Sequence, residues 1–321
     1  MDLDAQRIGF IGSGRLGKAL AWQMAGAGLR VVAAASRQRA DAQALAERVP
    51  GCAAADAQQV ADACDLVFIT TPDAAIRPTA DALRWRAGMS VVHCSGATEV
   101  SDLAGPASNG AAIGGFHPLQ TFGDPQAAAL SLPGCTVTIE AGQPLDATLV
   151  ALAARLGCAV NRLPPGARPL YHAAAGYTSQ FINVLLREAS AMWQSWGAGE
   201  AAAVQALMPM VVGTLASIGR AGLAQGMPGP VSRGDVASVR KHVQALGAFD
   251  ADSLGLYRAL CERTVRLALE GQRIDAAKAE LVRAVLAGVG PPQKPPQNPP
   301  QNPPQNLSQN PPLQPPQQRA V

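Results

Sequence analysis

Aromatic side chains are scarce, at 4% of the 321 residues, and charged ones make up only 15%. Hydrophobic residues still account for 48%. That is too much apolar material for a disordered chain, and it must pack as small side chains with close backbone approaches. Neither charge dominates: 26 basic and 23 acidic residues leave a net charge of +3. No basic stripe is present, so a nucleic-acid partner is not expected. The six cysteines, Cys52, Cys64, Cys94, Cys135, Cys158 and Cys261, form no C-x-x-C pair. Scattered thiols of this kind point away from a zinc site or a disulfide framework and fit a reducing compartment. No apolar run of the ~18–20 residues needed to span a membrane stands out. The start, Met1-Asp2-Leu3-Asp4, lacks the basic and apolar segments of a secretory signal, so a cytoplasmic location is expected.

What is present divides into three parts. Residues 1–165 alternate short apolar runs with helical stretches. Runs at Arg7–Ile11, Leu29–Ala35, Asp65–Thr70, Met89–His93, Ala111–Phe116 and Cys135–Glu140 read as strands. Arg15–Ala27, Arg39–Arg48 and Asp73–Arg86 read as helices. That alternation predicts an α/β fold with a parallel, doubly wound sheet. Residues 166–290 carry helical periodicity only, beginning with one long helix over Ala167–Trp196. Residues 291–321 hold 12 of the 26 prolines, in repeats such as Pro-Pro-Gln-Asn, and read as a disordered tail.

Gly12-Ser13-Gly14-Arg15-Leu16-Gly17 follows the first strand and opens the first helix. In that context a G-x-G-x-x-G is a dinucleotide cradle. The first glycine makes the turn, the second admits the pyrophosphate and the third lets helix and strand pack. At the end of the second strand stand Ser36, Arg37 and Arg39, with no acid to engage a ribose 2′-hydroxyl. A hydroxyl and guanidinium groups there suit a 2′-phosphate, so NADP is expected ahead of NAD. Thr71, Pro72 and Ser95 lie at later strand ends, where open α/β sheets bind ligands.

The chain also resembles a family. The segments that carry the likeness are Gly12–Gly17, His93-Cys94-Ser95-Gly96-Ala97, Gly115-Phe116-His117-Pro118-Leu119-Gln120-Thr121-Phe122, Tyr171-His172-Ala173-Ala174-Ala175 and Gly229-Pro230-Val231-Ser232-Arg233-Gly234-Asp235. They resemble Rossmann-like NAD(P)-dependent oxidoreductases whose helical C-terminal half is a domain of unknown function of the 2520 type. More distantly, the layout is similar to pyrroline-5-carboxylate reductases, prephenate dehydrogenases and the 6-phosphogluconate and 3-hydroxyacid dehydrogenases. The resemblance implies a Rossmann domain, an all-α C-terminal domain of the 6-phosphogluconate dehydrogenase type, a homodimer and a small-molecule substrate held between domains. A deazaflavin in place of nicotinamide is a further option, since related folds bind one. Two departures stand out. Gln180 follows Ser179 where relatives are expected to carry asparagine, and no lysine lies between Lys18 and Lys241.

Hydride chemistry needs a group that moves a proton, and histidine is suited to it near neutral pH. His117, in a Phe-His-Pro segment similar to that of prephenate dehydrogenases, is the first candidate, with His172 and Ser95 beside it. His172, Gly176, Ser179 and Asn183 are spaced 4, 3 and 4 apart, one face of a continuous helix. Ser179 and Asn183 are candidate substrate contacts, and Arg233 a candidate anchor for an anionic group. The expected activity is NADP-preferring reduction or oxidation of a small carbonyl, imine or hydroxy acid. The alternative is a dinucleotide-binding sensor or scaffold without turnover.

Overall fold

The computed structural model describes residues 3–289, and the proline-rich segment 291–321 lies outside them. Eight strands are interleaved with helices. In order they are β1 (Ile8–Ile11), α1 (Arg15–Gly26), β2 (Val31–Ala35), α2 (Arg39–Ala46), β3 (Ala53–Ala54), α3 (Ala57–Ala63), β4 (Leu66–Ile69) and α4 (Asp73–Asp81). Then come β5 (Ser90–His93), a 3₁₀ turn, α5 (Ala104–Ser108), β6 (Ala112–Pro118), α6 (Pro125–Ser131), β7 (Thr136–Ala141), α7 (Leu145–Arg155) and β8 (Ala159–Arg162). All-helical chain follows: α8 (Arg168–Thr178), α9 (Gln180–Gln194), α10 (Glu200–Gln225), α11 (Val236–Phe249), α12 (Ala251–Glu270) and α13 (Ala276–Leu286).

The strands form one sheet in the order β3-β2-β1-β4-β5-β6-β7-β8. The order reverses between β1 and β4, and the crevice beyond their carboxyl ends is where such sheets take ligands. The expected doubly wound sheet is present with one correction: β7 runs antiparallel to β6, while the other neighbouring pairs are parallel. Between them α6 packs on α1 through Ala128 and Ala129 against Ala19, and the chain returns beside β6 in the opposite sense.

Strand alternation builds two apolar layers. Ile8 and Phe10 of β1 and Leu66 and Phe68 of β4 face one layer, with Leu20 and Met24 of α1 and Leu149 and Leu152 of α7. Ile11, Val67 and Ile69 face the other, with Val60 of α3 and Ile76 of α4. Each such side chain, removed from water, contributes about 1.5–3 kcal/mol. Phe10 stacks on Phe68 at 5.3 Å between ring centres, and Phe116 meets Phe68 edge-on. Gly9 lets α3 approach, since a Cβ there would lie 2.5 Å from the Cys64 sulfur.

Three expectations are corrected here. First, α4 stops at Asp81 rather than Arg86, because the Trp85 indole turns back and donates to the Ala80 carbonyl at 2.6 Å. Second, the long helix over 167–196 is two helices broken at Ser179, with φ −126° and ψ −83°. The Thr178 and Ser179 hydroxyls both donate to the Ala175 carbonyl, at 3.1 and 2.9 Å. That carbonyl is the acceptor a continuous helix would reserve for the Ser179 N–H, which bonds Gly176 instead. Third, among the described residues α10 is long and apolar enough to cross a membrane by length and composition. Gln205, Thr214 and Ser217 interrupt its run but bring no charge.

Contacts group the chain into two compact units that meet between Leu185 and Leu186, within α9. Helix α8, which the end of strand periodicity assigns to the helical part, groups with the sheet. In the second unit α11, α12 and α13 enclose Val239, Cys261, Val265, Ile274 and Val282. Asp235, Asp250 and Asp275 cap these three helices by accepting from the backbone N–H three residues on.

Candidate active site

The site starts where β1 ends. Gly12 has φ +109°, in the region that favours glycine, and a Cβ on it would lie 2.6 Å from the Thr70 carbonyl carbon. A Cβ on Gly17 would strike the Gly12 carbonyl oxygen. These two glycines therefore let the loops after β1 and β4 touch, and the Thr70 hydroxyl donates to the Gly12 carbonyl across the contact. Gly14 has open space around its Cα. It is the N-cap of α1, with no side-chain cap and no acid in the first turn. Uncapped N–H groups and a positive helix end are what a pyrophosphate requires. Beside them the buried Thr71 hydroxyl has no partner. An open glycine, an uncapped helix and an orphaned hydroxyl in one crevice fit a dinucleotide.

Opposite lies a cluster of imidazoles. His117 is the penultimate residue of β6, and its Nδ1 is 2.7 Å from the Tyr171 hydroxyl on α8. The His172 ring stands 6.5 Å from that of His117. Both rings sit over Gly96, where a Cβ would lie 2.8 Å from His172 Cδ2 and 2.9 Å from His117 Cε1. Burial pushes the His117 imidazole down to about 4, with His172 and Arg168 adding to the shift and Asp73 opposing it. The ring is therefore neutral at pH 7. Burial also raises Tyr171, which keeps its phenol proton.

Ser95 lies beneath this cluster and is nearly buried. Its hydroxyl accepts from the Ala97 and Thr98 N–H groups at 3.1 and 2.9 Å. Its N–H donates to His93 Nδ1 at 3.2 Å, and its carbonyl accepts from Arg168 Nη1 at 2.8 Å. His93 is wholly buried, and burial first, then the Arg168 charge, pushes it down to about 3.

A cleft of about 780 Å³ joins the two halves of this arrangement. It brings together Gly14, Arg15, Leu16, Thr71, Pro72, Ser95, His117, His172 and Ser179 of the residues singled out by sequence. Gly12 and Gly17 do not line it; they hold the loops after β1 and β4 together. Ser13 is buried with its hydroxyl on the Ala35 carbonyl, so only its backbone is left for a ligand. Ser36 and Arg37 lie just past β2 and do not line the cleft, and Arg37 is exposed. Asn183 does not line it either, because the break at Ser179 turns α9 off the face of α8. Its amide donates to the Ser179 carbonyl. Arg233 belongs to the second unit, exposed on a 3₁₀ turn. Asp73, the first residue of α4, lines the cleft as well. Sequence reasoning did not select Gln120, Thr121 and Gly123, which also line the cleft, or Arg168.

Residues 7–96 match the family described as NADP oxidoreductase, coenzyme F420-dependent, and residues 135–264 match a domain of unknown function, DUF2520. The N-terminal part thus matches a family of NADP oxidoreductases, and the helical part a family whose description names no activity. A search of curated proteins by sequence finds no match. Among solved structures the chain is similar to a Thermotoga maritima protein, with a TM-score of 0.70 and 20% identity over 83% of this chain and 100% of that one. It is also similar to a Bacteroides fragilis protein described as an NADP oxidoreductase, with a TM-score of 0.65 and 23% identity over 82% and 99% of the two chains. A reductive aminase from Aspergillus terreus, solved with NADPH and ethyl-5-oxohexanoate, gives 0.56 and 16% over 88% and 93%. At these identities the likeness is one of fold.

Proposed function

We propose that this protein is an oxidoreductase that uses NADPH to reduce the carbonyl or imine carbon of a small polar molecule, with His117 and Tyr171 managing the proton. The observation that carries the reading is the His117–Tyr171 hydrogen bond in the same cleft as the glycine cradle. The nicotinamide supplies a hydride when bound. The chain's own groups do the rest. Gly14, Arg15 and Leu16, at the start of α1, hold the pyrophosphate. The orphaned Thr71 hydroxyl, next to Pro72, reaches the adjoining ribose. Ser36 and Arg37 favour the 2′-phosphate, since nothing acidic stands beside them to repel it.

The substrate oxygen or nitrogen faces the His117 imidazole. When Tyr171 donates to Nδ1, the ring's proton resides on Nε2 and can pass to the atom that gains charge. The tyrosine proton then moves to Nδ1 and is replaced from water. The neutral state of His117 at pH 7 requires this relay, because an imidazole without it would be left as an anion. His172 borders the same space and helps to orient the acceptor. The reductive aminase with NADPH and a keto ester supports the substrate class by fold alone.

The test is NADPH consumption across a panel of ketones with amines, cyclic imines and hydroxy acids, the last with NADP⁺, with reduced deazaflavin run in parallel as hydride donor. His117→Ala is expected to lower turnover by about 10²-fold while leaving NADPH affinity nearly unchanged. Arg37→Asp is expected to reverse the ratio of NADPH to NADH affinity in a fluorescence titration. Parental turnover in His117→Ala removes the relay, and equal affinities for the two nucleotides in the parent remove the cofactor preference.

A further inference from the structure

Arg168 heads the fully buried side chains by size. A guanidinium withdrawn from water persists only where its charge is paired and its N–H groups are bonded. Nε donates to Glu140 of β7 at 2.6 Å, and Nη1 donates to the Ser95 carbonyl at 2.8 Å. Nη2 has no partner, nor has the buried Nε2 of His93. Arg168 is also the first residue of α8, where a positive charge opposes the helix dipole. Helix formation therefore gives no reason for an arginine there, and the incomplete bonding gives no reason of stability. The contact across to Ser95 does give one.

The sequence makes room for that contact. Gly115 of β6 pairs in register with His93 of β5, and a Cβ on Gly115 would run into the Arg168 guanidinium. The Ser95 peptide is thereby held from both ends, its N–H on His93 and its carbonyl on Arg168. The next residue, Gly96, lies under the His117 and His172 rings. Tyr171 and His172 follow Arg168 by one helical turn.

We propose that Arg168 is a positioning residue: seated in the slot left by Gly115, it joins the Ser95–Gly96 loop to the first turn of α8, so that the loop beneath the reacting atoms and the helix bearing Tyr171 and His172 hold one register. The proposal rests on the oxidoreductase reading of the cleft. Electrostatics point the same way. The charge of Arg168 acts with burial and His172 to keep His117 neutral, against Asp73. It acts likewise, with His117, on His93 against Asp102.

The test removes the ion pair as a pair, Arg168→Met with Glu140→Met, so that neither charge is left alone in the interior. The double variant is expected to melt within about 5 °C of the parent and to bind NADPH within about twofold. Its turnover on the best panel substrate is expected to fall about tenfold or more at unchanged KM for NADPH, as for a displaced catalytic group. By proton NMR its His117 imidazole is expected to titrate above the parental value. Arg168→Lys, which keeps the charge, should recover part of both effects. A folded double variant with parental turnover and parental imidazole titration overturns the proposal. If the parent turns over nothing on the panel, the reductase reading fails, and the imidazole titration still decides the role of Arg168. If the double variant does not fold, Gly115→Ala crowds the guanidinium without removing charge; its turnover is expected to fall about tenfold at unchanged KM for NADPH, with the His117 titration near the parental value, and parental turnover overturns the proposal.

Discussion

At Gly96 the backbone runs so close to two imidazoles that one methyl group changes the site. Gly96 is absent from the positive-φ positions, so alanine is allowed by the backbone and only the rings above must move. Gly96→Ala is expected to keep the fold and the NADPH affinity while lowering turnover about 10²-fold. Steady-state kinetics beside a thermal melt check this, and a parental kcat would show that the rings tolerate the shift. Residues of this kind differ in how visible they are from sequence. His117, Ser95, Thr71 and Pro72 were legible because reactive types stood at the ends of apolar runs. The Tyr171 partner of His117 lies 54 positions away, and that separation carries no periodic signal. Arg168 was invisible for a related reason, since its partners Glu140 and Ser95 belong to two other elements.

At the level of elements, periodicity identified six of the eight strands, missing β3 and β8, and the helical character of the second half. It failed where local side-chain bonds overrode it. The hydroxyls of Thr178 and Ser179 divide a helix that apolar spacing alone makes continuous. β3 has two residues, Ala53 and Ala54, too few to alternate. The direction of β7 is not encoded by the spacing within either strand, since side chains alternate with the same period in parallel and antiparallel pairs. Helix α10 leads to a prediction. Of its 26 residues only Ala203 is buried, and Met210, Val212, Leu215 and Leu223 are each more than half exposed. Ala201, Val204, Leu207, Met208 and Val211 recur at helical spacing on the same helix. Covering a large apolar side chain is worth about 1.5–3 kcal/mol, and a few of them offset the cost of association. A homodimer formed through α10 is therefore expected at micromolar concentration. Light scattering checks it, with a monomer mass as the contrary result.

For the whole molecule, the two buried imidazoles set a dependence on pH. His93 and His117 titrate near 3 and 4 in the folded chain, below the ordinary 6.5, and burial is the main cause in both. The unfolded chain takes up protons near 6.5 that the native chain refuses. Stability is therefore full above about pH 6.5 and is lost as pH falls toward 4. At about 1.4 kcal/mol per pH unit per group, the loss is on the order of 3 kcal/mol for each histidine. Asp65, held near 2 chiefly by its hydrogen bond from Arg7, adds its own loss only below about pH 4, where His93 is still titrating. Urea midpoints at pH 7, 5.5 and 4.5 are expected to fall steadily, and His117→Gln should flatten part of the slope. A midpoint constant over that range would mean that these rings are not held neutral.

The missing cap on α1 has a consequence of its own. A helix whose opening amides have no side-chain acceptor is incomplete until an anion arrives, so the dinucleotide acts as the last structural piece of the first turn. Arg15, Leu16 and Gly17 should then exchange amide hydrogens quickly in the free protein and slowly with the nucleotide bound. Saturation at a hundred times Kd would add about 2.7 kcal/mol to the unfolding free energy. Heat resistance in a preparation would then be a readout of how much nucleotide it has retained.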